Sequence, residues 1–258
     1  DFSTKKYMNV SKVKKFIKEN IYLLAVIGFS FVNFSVALKL NIFRYNNFDF
    51  GKFDLGNMTQ MVWYTLHGKF MYLTDYFGSN VPRWSMSHID PLLALFSPIF
   101  AIFPHPLTLV ISQLFIVVFS SVLIYAIAKL ELKSKLAACL LGFAYLLYPS
   151  MGFINGTMGF HAVTAAIPFF LGAFYLFEKM YSENSFTKKG IIGFWILLVL
   201  TMAGKEQIPL YICIWGVFIL FFRSMGAGGF KLKKEWFRDF FKQKTARIGL
   251  SMSVVGFA

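Results

Sequence analysis

The sequence predicts an all-α membrane protein built as a bundle of transmembrane helices. Hydrophobic residues make up 57% of the 258 positions and charged residues only 15%, whereas a soluble domain carries about 25% charged residues. The apolar residues form long blocks and do not follow the spacing of a soluble core. The basic residues cluster between these blocks, which is typical of the loops of a polytopic membrane protein.

Six apolar blocks are the predicted transmembrane helices, because a helix needs about 20 apolar residues to cross a bilayer. They are residues 21–38, 106–128, 136–148, 159–177, 190–204 and 207–222, and a further span is expected to begin at 248–258. Since the chain ends inside this last block, we expect it to be the N-terminal part of a longer protein. No small-residue cleavage site follows the first block, which indicates an anchor.

The long loop 39–105 is predicted to carry short helices. Residues 54–67 are expected to form an amphipathic helix beside the membrane, because apolar side chains recur on one helical face. The apolar segment 91–103 is too short to span, and prolines follow it at 104 and 106. We therefore expect it to be a re-entrant or interfacial helix.

The basic residues orient the bundle. With a cytoplasmic N-terminus, 20 of the 26 Lys and Arg residues fall in the inner segments 1–20, 129–135, 179–189 and 223–247. Positive charge in short loops marks the cytoplasmic side, so the loop 39–105 is predicted to be extracytoplasmic. Within the last inner segment, residues 230–241 are expected to lie on the inner leaflet as a basic amphipathic segment. This distribution argues against a nucleic-acid partner and predicts the lipid bilayer as the partner.

The first outer motif, residues 48–56, brings two carboxylates, Asp49 and Asp54, to the amphipathic helix, with Gln60 further along it. Two interpretations of Asp54 stay open. It caps the N-terminus of the helix, or it acts at the membrane surface as a general base.

Three further motifs are predicted on the same side. His88 and Asp90 could orient each other, bind a metal or contact a phosphate, or belong to a surface loop. His161 follows glycines that let the backbone approach a ligand, or is an interfacial residue. Lys205 and Glu206 lie between two apolar blocks, where charge is costly unless it is paired or used, or form a short exposed turn.

The coincidence of these motifs predicts one outward-facing cavity. We expect Asp54, His88, His161 and Glu206 to surround a void within about 15 Å, the scale of a small-ligand pocket.

The motifs resemble those of a family of predicted prokaryotic membrane proteins of unassigned function. The resemblance is carried by Phe53-Asp54-Leu55-Gly56 with Gln60, Trp63 and Gly68, by His88 with Pro91, by Phe160-His161 and by Lys205-Glu206. Ala162 and Gln207 replace the residues that usually end the last two motifs. The resemblance covers about residues 20–222.

That family in turn resembles the GT-C class of polytopic glycosyltransferases, which have a long first outer loop with an essential aspartate. The resemblance implies a GT-C-like module over 21–222 that transfers a sugar, with inversion, from a polyprenyl-phosphate donor at the outer face of the prokaryotic cytoplasmic membrane. Asp54 matches the aspartate, and Gly68 matches the glycine that ends the juxtamembrane helix. The implied substrate and phosphate contacts are Asp49, Gln60, Arg83, His88, His161, Lys205 and Glu206. The cofactor stays unknown, although Asp49 and Glu206 could hold a divalent cation.

Two other classes of function stay open. A transporter would carry ionisable residues on toward the inner face, and the six predicted spans carry none through their inner halves. A non-catalytic membrane assembly protein is favoured if the outer motifs are scattered in space.

Overall fold

The computed structural model describes residues 2–50, 52–86, 88–156, 159–224, 240 and 242–257. Over these residues the chain is almost entirely helical, which confirms the predicted all-α membrane fold. The helices are α1 (Phe2–Asn46), α2 (Lys52–Leu66), α3 (Ser97–Ile102), α4 (Pro106–Phe119), α5 (Ser121–Leu132), α6 (Lys135–Leu147), α7 (Pro149–Gly156), α8 (Ala166–Ser182), α9 (Lys188–Met202), α10 (Ile208–Phe218) and α11 (Lys244–Phe257). Short 3₁₀ turns occupy Arg83–Ser85, Pro91–Phe96 and Ala162–Ala165, and a π turn, Ile219–Arg223, extends α10. An antiparallel hairpin pairs β1 (Tyr72–Thr74) with β2 (Asn80–Pro82).

Three helical stretches are long and apolar enough to cross a membrane. They are Lys14–Asn46, Pro106–Leu132 and Ala162–Ser182, of 33, 27 and 21 residues. They coincide with the first, second and fourth predicted spans apart from their bounds, and whether they cross a bilayer stays a prediction. The first continues eight residues into the segment predicted as a loop, and the fourth ends at Ser182 instead of 177.

The third predicted span is a broken helix. α6 and α7 together pass the same length and hydropathy test, but they are bent by 50° at Tyr148. α6 ends at Leu147, next to the predicted stop at Pro149, and the new helix α7 that begins at this proline was not predicted. A proline fits the first turn of a helix, where its missing N–H is not needed, and it forces the preceding residue out of helical geometry.

The remaining apolar blocks form shorter helices. α9 has 15 residues and α10 with its π turn covers Ile208–Arg223, so whether they cross the bilayer stays a prediction. Pro91–Ile102 is a short apolar helical segment, as expected. The predicted amphipathic segment 230–241 lies outside the described residues, apart from Phe240.

The chain divides into two compact units. Unit 1 comprises Asp1–Gly56 and His105–His161, and unit 2 comprises Asn57–Pro104 and Ala162–Ala258. The core of unit 1 packs α1 against α4, α5 and α6. Ser30 of α1 and Ser121 of α5 share a buried hydrogen bond of 2.7 Å, and Val26 fills the space above Gly142 of α6.

The core of unit 2 packs α8, α9, α10 and α11 around buried aromatic rings. Phe177 and Phe194 are fully buried, and both contact the ring of Trp215. α10 and α11 approach backbone to backbone at Gly216 and Gly249, where a Cβ on either residue would lie 2.7–2.8 Å from the other's carbonyl oxygen. Small residues allow this close contact between helices in a membrane.

Candidate functional site

Asp54 lies inside the first turn of α2. The helix begins at Lys52, so Asp54 is its third residue and not its cap as one of the two interpretations supposed. The helix N-terminus favours a carboxylate at this place, because its unpaired N–H groups carry partial positive charge. The carboxylate is exposed, and among the described residues no side chain or backbone group is hydrogen bonded to it.

The C-terminus of α2 is closed by Gly68, as the resemblance implied. Gly68 has a φ of +80°, its N–H donates to the Thr65 carbonyl, and the Lys69 N–H donates to the Tyr64 carbonyl at 2.9 Å. This pair of bonds is a Schellman motif, which requires a left-handed residue at Gly68.

Gln60 fixes the hairpin to α2. Its Nε2 donates to Thr74 Oγ1 at 2.7 Å, and the Thr74 N–H donates to Gln60 Oε1 at 3.0 Å. Both ends of the amide are therefore engaged by the protein, which gives Gln60 a positioning function. A substrate contact by Gln60 stays a prediction.

Arg83 and Asp90 form a buried ion pair. Nε and Nη2 of Arg83 donate to the two carboxylate oxygens at 3.3 and 3.2 Å, and the two side chains are 10% and 6% exposed. This bidentate geometry fixes the loop between the hairpin and the turn at Pro91. The guanidinium thus serves the fold, and phosphate binding by Arg83 stays a prediction.

His88 and Glu206 form a dyad that links two of the predicted motifs. Nδ1 of His88 lies 2.7 Å from Oε1 of Glu206, and the Ile89 N–H donates to Oε2 at 3.2 Å. The Leu92 N–H donates to the Ala203 carbonyl at 2.9 Å, which adds a third link between the same segments. Of the alternatives left open for His88 and Asp90, mutual orientation is not observed, because His88 is bonded to Glu206 and Asp90 to Arg83.

The dyad is accessible, with the His88 side chain 42% and the Glu206 side chain 34% exposed. Burial raises the pKa of Glu206, but bonds to its carboxylate from its own N–H, from His88 and from the Ile89 N–H outweigh burial and hold the pKa below its ordinary value of 4.5. An ionised carboxylate only accepts hydrogen bonds, so Nδ1 of His88 carries the proton. Nε2 has no bonding partner among the described residues.

His161 belongs to unit 1, where Gln113 fixes its backbone. Gln113 is 2% exposed in the middle of α4. Its Nε2 donates to the Gly159 carbonyl at 2.7 Å, and its Oε1 accepts from the His161 N–H at 2.7 Å. Gly159 has a φ of +71°, which an L side chain rarely adopts. The glycine of this motif is thus needed for the backbone that presents His161.

An open cleft of about 660 Å³ lies at the end of α1 in unit 1. It is lined by Tyr45, Asn46, Phe48, Phe50, Leu55, Gly56 and Pro106, so its wall includes the first turn of α2. The Arg44 guanidinium lies 5.9 Å from the Phe50 ring centroid and donates to the Gly156 carbonyl at 2.9 Å. Asp49 is exposed at the bend between α1 and α2 and bonds through its backbone to Arg44.

The structure therefore joins His88 with Glu206 in unit 2, and places Asp49, Asp54 and His161 in unit 1. A pairing of Glu206 with its neighbour Lys205 was one of the alternatives, but Glu206 bonds to His88 instead. Lys205, which precedes Glu206 in sequence, is half-buried. Within the described part of the chain, no group of three or more His, Cys, Asp or Glu residues could hold a metal ion. The convergence of Asp54, His88, His161 and Glu206 stays a prediction.

A comparison with models of protein families shows which family the chain belongs to. The model of a family described as "Predicted membrane protein (DUF2079)" matches residues 44–257. The chain belongs to this family. The DUF2079 match contains all four outer motifs, from Asp49 to Glu206, and agrees with the resemblance to a family of predicted membrane proteins. No match was found among the curated proteins or among the solved structures.

Sequence reasoning missed three polar residues, two of which position the His161 motif. Gln113 and Arg44 each bond to the backbone of the segment 155–161, and Glu178 pairs with Arg223. The available signal for Gln113 was an amide within an apolar span. A buried polar group of this kind must find a partner, but the sequence does not name the partner.

Proposed function

We propose that this DUF2079 protein transfers a sugar from a polyprenyl-phosphate donor to an acceptor at the extracytoplasmic face of a prokaryotic cytoplasmic membrane, with its N-terminus in the cytoplasm. The observation that carries the proposal is the His88–Glu206 dyad. It joins two motifs that are 118 positions apart in sequence, and it leaves one imidazole nitrogen available for a ligand.

The dyad is suited to the leaving group of the reaction. Glu206 orients the His88 ring through its bond to Nδ1, as carboxylates do for functional histidines. When the imidazole is protonated, both ring nitrogens carry a proton. The free Nε2–H can then donate to an oxygen of the lipid phosphate, on which negative charge develops as the bond to the sugar breaks. Lys205 precedes Glu206 and would add positive charge at the same phosphate.

Asp54 is proposed as the general base. Its carboxylate takes the proton of the acceptor hydroxyl, the hydroxyl oxygen bonds to the anomeric carbon with inversion, and the bond from that carbon to the phosphate oxygen breaks. Polyprenyl phosphate leaves with the electron pair. The exposure of Asp54 supports this role, and the apolar cleft next to it offers a surface for the isoprenoid chain.

A transporter is favoured by one observation. Glu178 and Arg223 form an ion pair near the opposite end of unit 2, with the Glu178 side chain 4% exposed. Ionisable groups near both ends of a bundle are typical of transport pathways. Both members of the pair lie in terminal turns of their helices, where a structural pair is also expected.

The experiment is a transfer assay with membranes that contain the full chain and a panel of polyprenyl-phosphate sugars. Asp54→Asn keeps the size of the side chain but cannot take the proton, so we expect transfer to fall about a hundredfold to ten-thousandfold. Asp49→Asn is the companion variant, because Asp49 is the other exposed acid close to Asp54 in sequence. A well-expressed Asp54→Asn protein that is as active as the wild type would remove Asp54 from the reaction. If Asp49→Asn were then inactive, the base would be Asp49. Uptake without transfer would establish the transporter.

A further inference from the structure

A second polar pocket, with a volume of about 420 Å³, lies in unit 2 where α8 is connected to α9 and where α11 begins. Its polar lining includes Asn184, Arg223, Gln243 and Lys244. The helix order places this pocket at the end of unit 2 opposite to the turn that carries Glu206, which is the end predicted to be cytoplasmic. The dyad, the hairpin and the outer motifs take no part in it.

Arg223 is held rigidly in this pocket. Its Nη2 donates to both oxygens of Glu178 at 3.0 and 2.9 Å, and its guanidinium lies 4.8 Å from the Tyr181 ring centroid. A stacked and paired guanidinium loses little further freedom when it binds a ligand. Within the described part of the chain, the three N–H donors on Nε and Nη1 have no bonding partner.

Lys244 supplies a second cation. It is the first residue of α11, and its Nζ donates to the Phe186 carbonyl at 3.3 Å. The unpaired N–H groups at the start of this 14-residue helix carry partial positive charge. Gln243 and Asn184 add amide donors.

The charge of the lining favours an anion. Glu178 is the carboxylate in contact with Arg223, and it is already bonded through both oxygens. Lys244 has no ion pair among the described residues, so the lining keeps a net positive charge. A phosphate matches the free guanidinium donors and the ammonium group together.

The aromatic part of the lining favours a lipid as the source of that phosphate. Tyr181 lines it from the last turn of α8 and Phe186 from the connection between α8 and α9. Aromatic side chains are enriched where membrane helices meet the headgroup layer of a bilayer. Basic pockets between transmembrane helices on the cytoplasmic side bind anionic headgroups. We propose that this pocket binds the phosphate of an anionic phospholipid headgroup. The proposal is independent of the transferase activity.

The test measures lipid binding to the purified full chain in detergent by native mass spectrometry. The probes are phosphatidylglycerol and, as the zwitterionic comparison, phosphatidylcholine. Lys244→Gln should reduce bound phosphatidylglycerol about fivefold, the loss expected of one cation near the surface. Arg223→Lys keeps the charge next to Glu178 but loses the planar fork, so it should weaken binding while the protein still folds.

Lys189→Gln is the matched control, because Lys189 is an exposed cation at the same end of unit 2 that does not line the pocket. It should leave binding unchanged. Glycerol 1-phosphate distinguishes the two sources of phosphate: if it displaces the lipid at equal concentration, the pocket recognises free phosphate esters and the lipid assignment is wrong. Equal losses in Lys244→Gln and Lys189→Gln would show that general positive charge, and not this pocket, holds the lipid. Equal binding of the two lipids would show that the pocket does not select an anionic headgroup. Either result overturns the proposal.

Discussion

The bond between His88 and Glu206 makes a prediction about pH. Because the folded-state pKa of Glu206 is lowered, its carboxylate stabilises the fold above the ordinary glutamate pKa of 4.5, and this contribution is lost as the pH falls through the lower folded value. Glu206→Gln removes the charge at every pH. We therefore expect the wild type to have the higher thermal midpoint at pH 7, and the difference to disappear in the acidic range below 4.5.

The measurement is thermal unfolding in detergent, followed by a thiol-reactive dye. Cys139 is buried and Cys213 half-buried, and both are free thiols that unfolding exposes. Lys205→Gln, which changes a neighbouring charge without removing the dyad, serves as the control. A difference between wild type and Glu206→Gln that stayed constant down to pH 3 would mean that the bond to His88 does not depend on the charge of Glu206.

The buried pair of Arg83 and Asp90 predicts a large effect on stability. Arg83→Met leaves the Asp90 carboxylate buried without its cation, which typically costs about 3–5 kcal/mol. Replacing both residues, as Arg83→Met with Asp90→Leu, removes the unpaired charge and should recover most of that loss. The same dye assay measures it. A double variant no more stable than Arg83→Met would show that the pair contributes more than the avoidance of a buried charge.

The residue-level site could be predicted from the sequence only in part. The types of residue follow from the short motifs, whereas their side of the membrane stays a prediction from the charge distribution. The partners do not follow: a pairing of His88 with Asp90 and one of Lys205 with Glu206 were among the alternatives, because these residues are neighbours in sequence. In the fold, Asp90 bonds to Arg83. His88 bonds to Glu206, which follows α9 and is far away in sequence.

At the scale of the elements, α10 and α11 depend on glycine. A Cβ at Gly249 would lie 2.8 Å from the Gly216 carbonyl oxygen and 2.9 Å from the Leu220 nitrogen, and backbone atoms cannot give way as a side chain can. Overpacking of this kind typically costs about 1–3 kcal/mol. We expect Gly249→Ala to lower the thermal midpoint clearly.

Gly28→Ala is the matched control for this prediction. Gly28 also lies inside a helix, but a Cβ there would meet no atom within 4 Å. Alanine favours a helix over glycine by about 0.5–1 kcal/mol, so the variant should be unchanged or slightly more stable. Equal behaviour of the two variants would mean that α10 and α11 are not in close contact in the membrane.

The elements themselves were the most predictable part of the fold. The helix expected over 54–67 is observed as Lys52–Leu66, because its apolar face and its glycine end are both local signals. The restart of the third span at Pro149 was not predictable in the same way. A proline is found both where a helix ends in a loop and where a new helix begins, so it does not distinguish the two cases. Here the new helix α7 packs against α1 and α4.

At the scale of the whole molecule, the proposal depends on the side of the membrane that each loop faces. The charge asymmetry predicts that the hairpin is extracytoplasmic and that the turn between α8 and α9 is cytoplasmic. Ser79 in the hairpin turn and Ser182 at the end of α8 are both exposed, so a cysteine at either place is accessible to a reagent in water. Cys139 and Cys213 are first replaced by alanine, so that each variant carries one thiol.

In intact cells, an impermeant thiol reagent should label Ser79→Cys and leave Ser182→Cys unlabelled, and both should react after permeabilisation. The physical reason is that 20 of the 26 basic residues fall on the side of Ser182, and positively charged loops stay in the cytoplasm. Labelling after permeabilisation is the internal control, because it separates a protected thiol from a buried one. The reverse pattern would place His88 and Glu206 in the cytoplasm. A donor presented at the outer face could not then reach the dyad, and the same result would move the phosphate pocket at Arg223 to the outer leaflet.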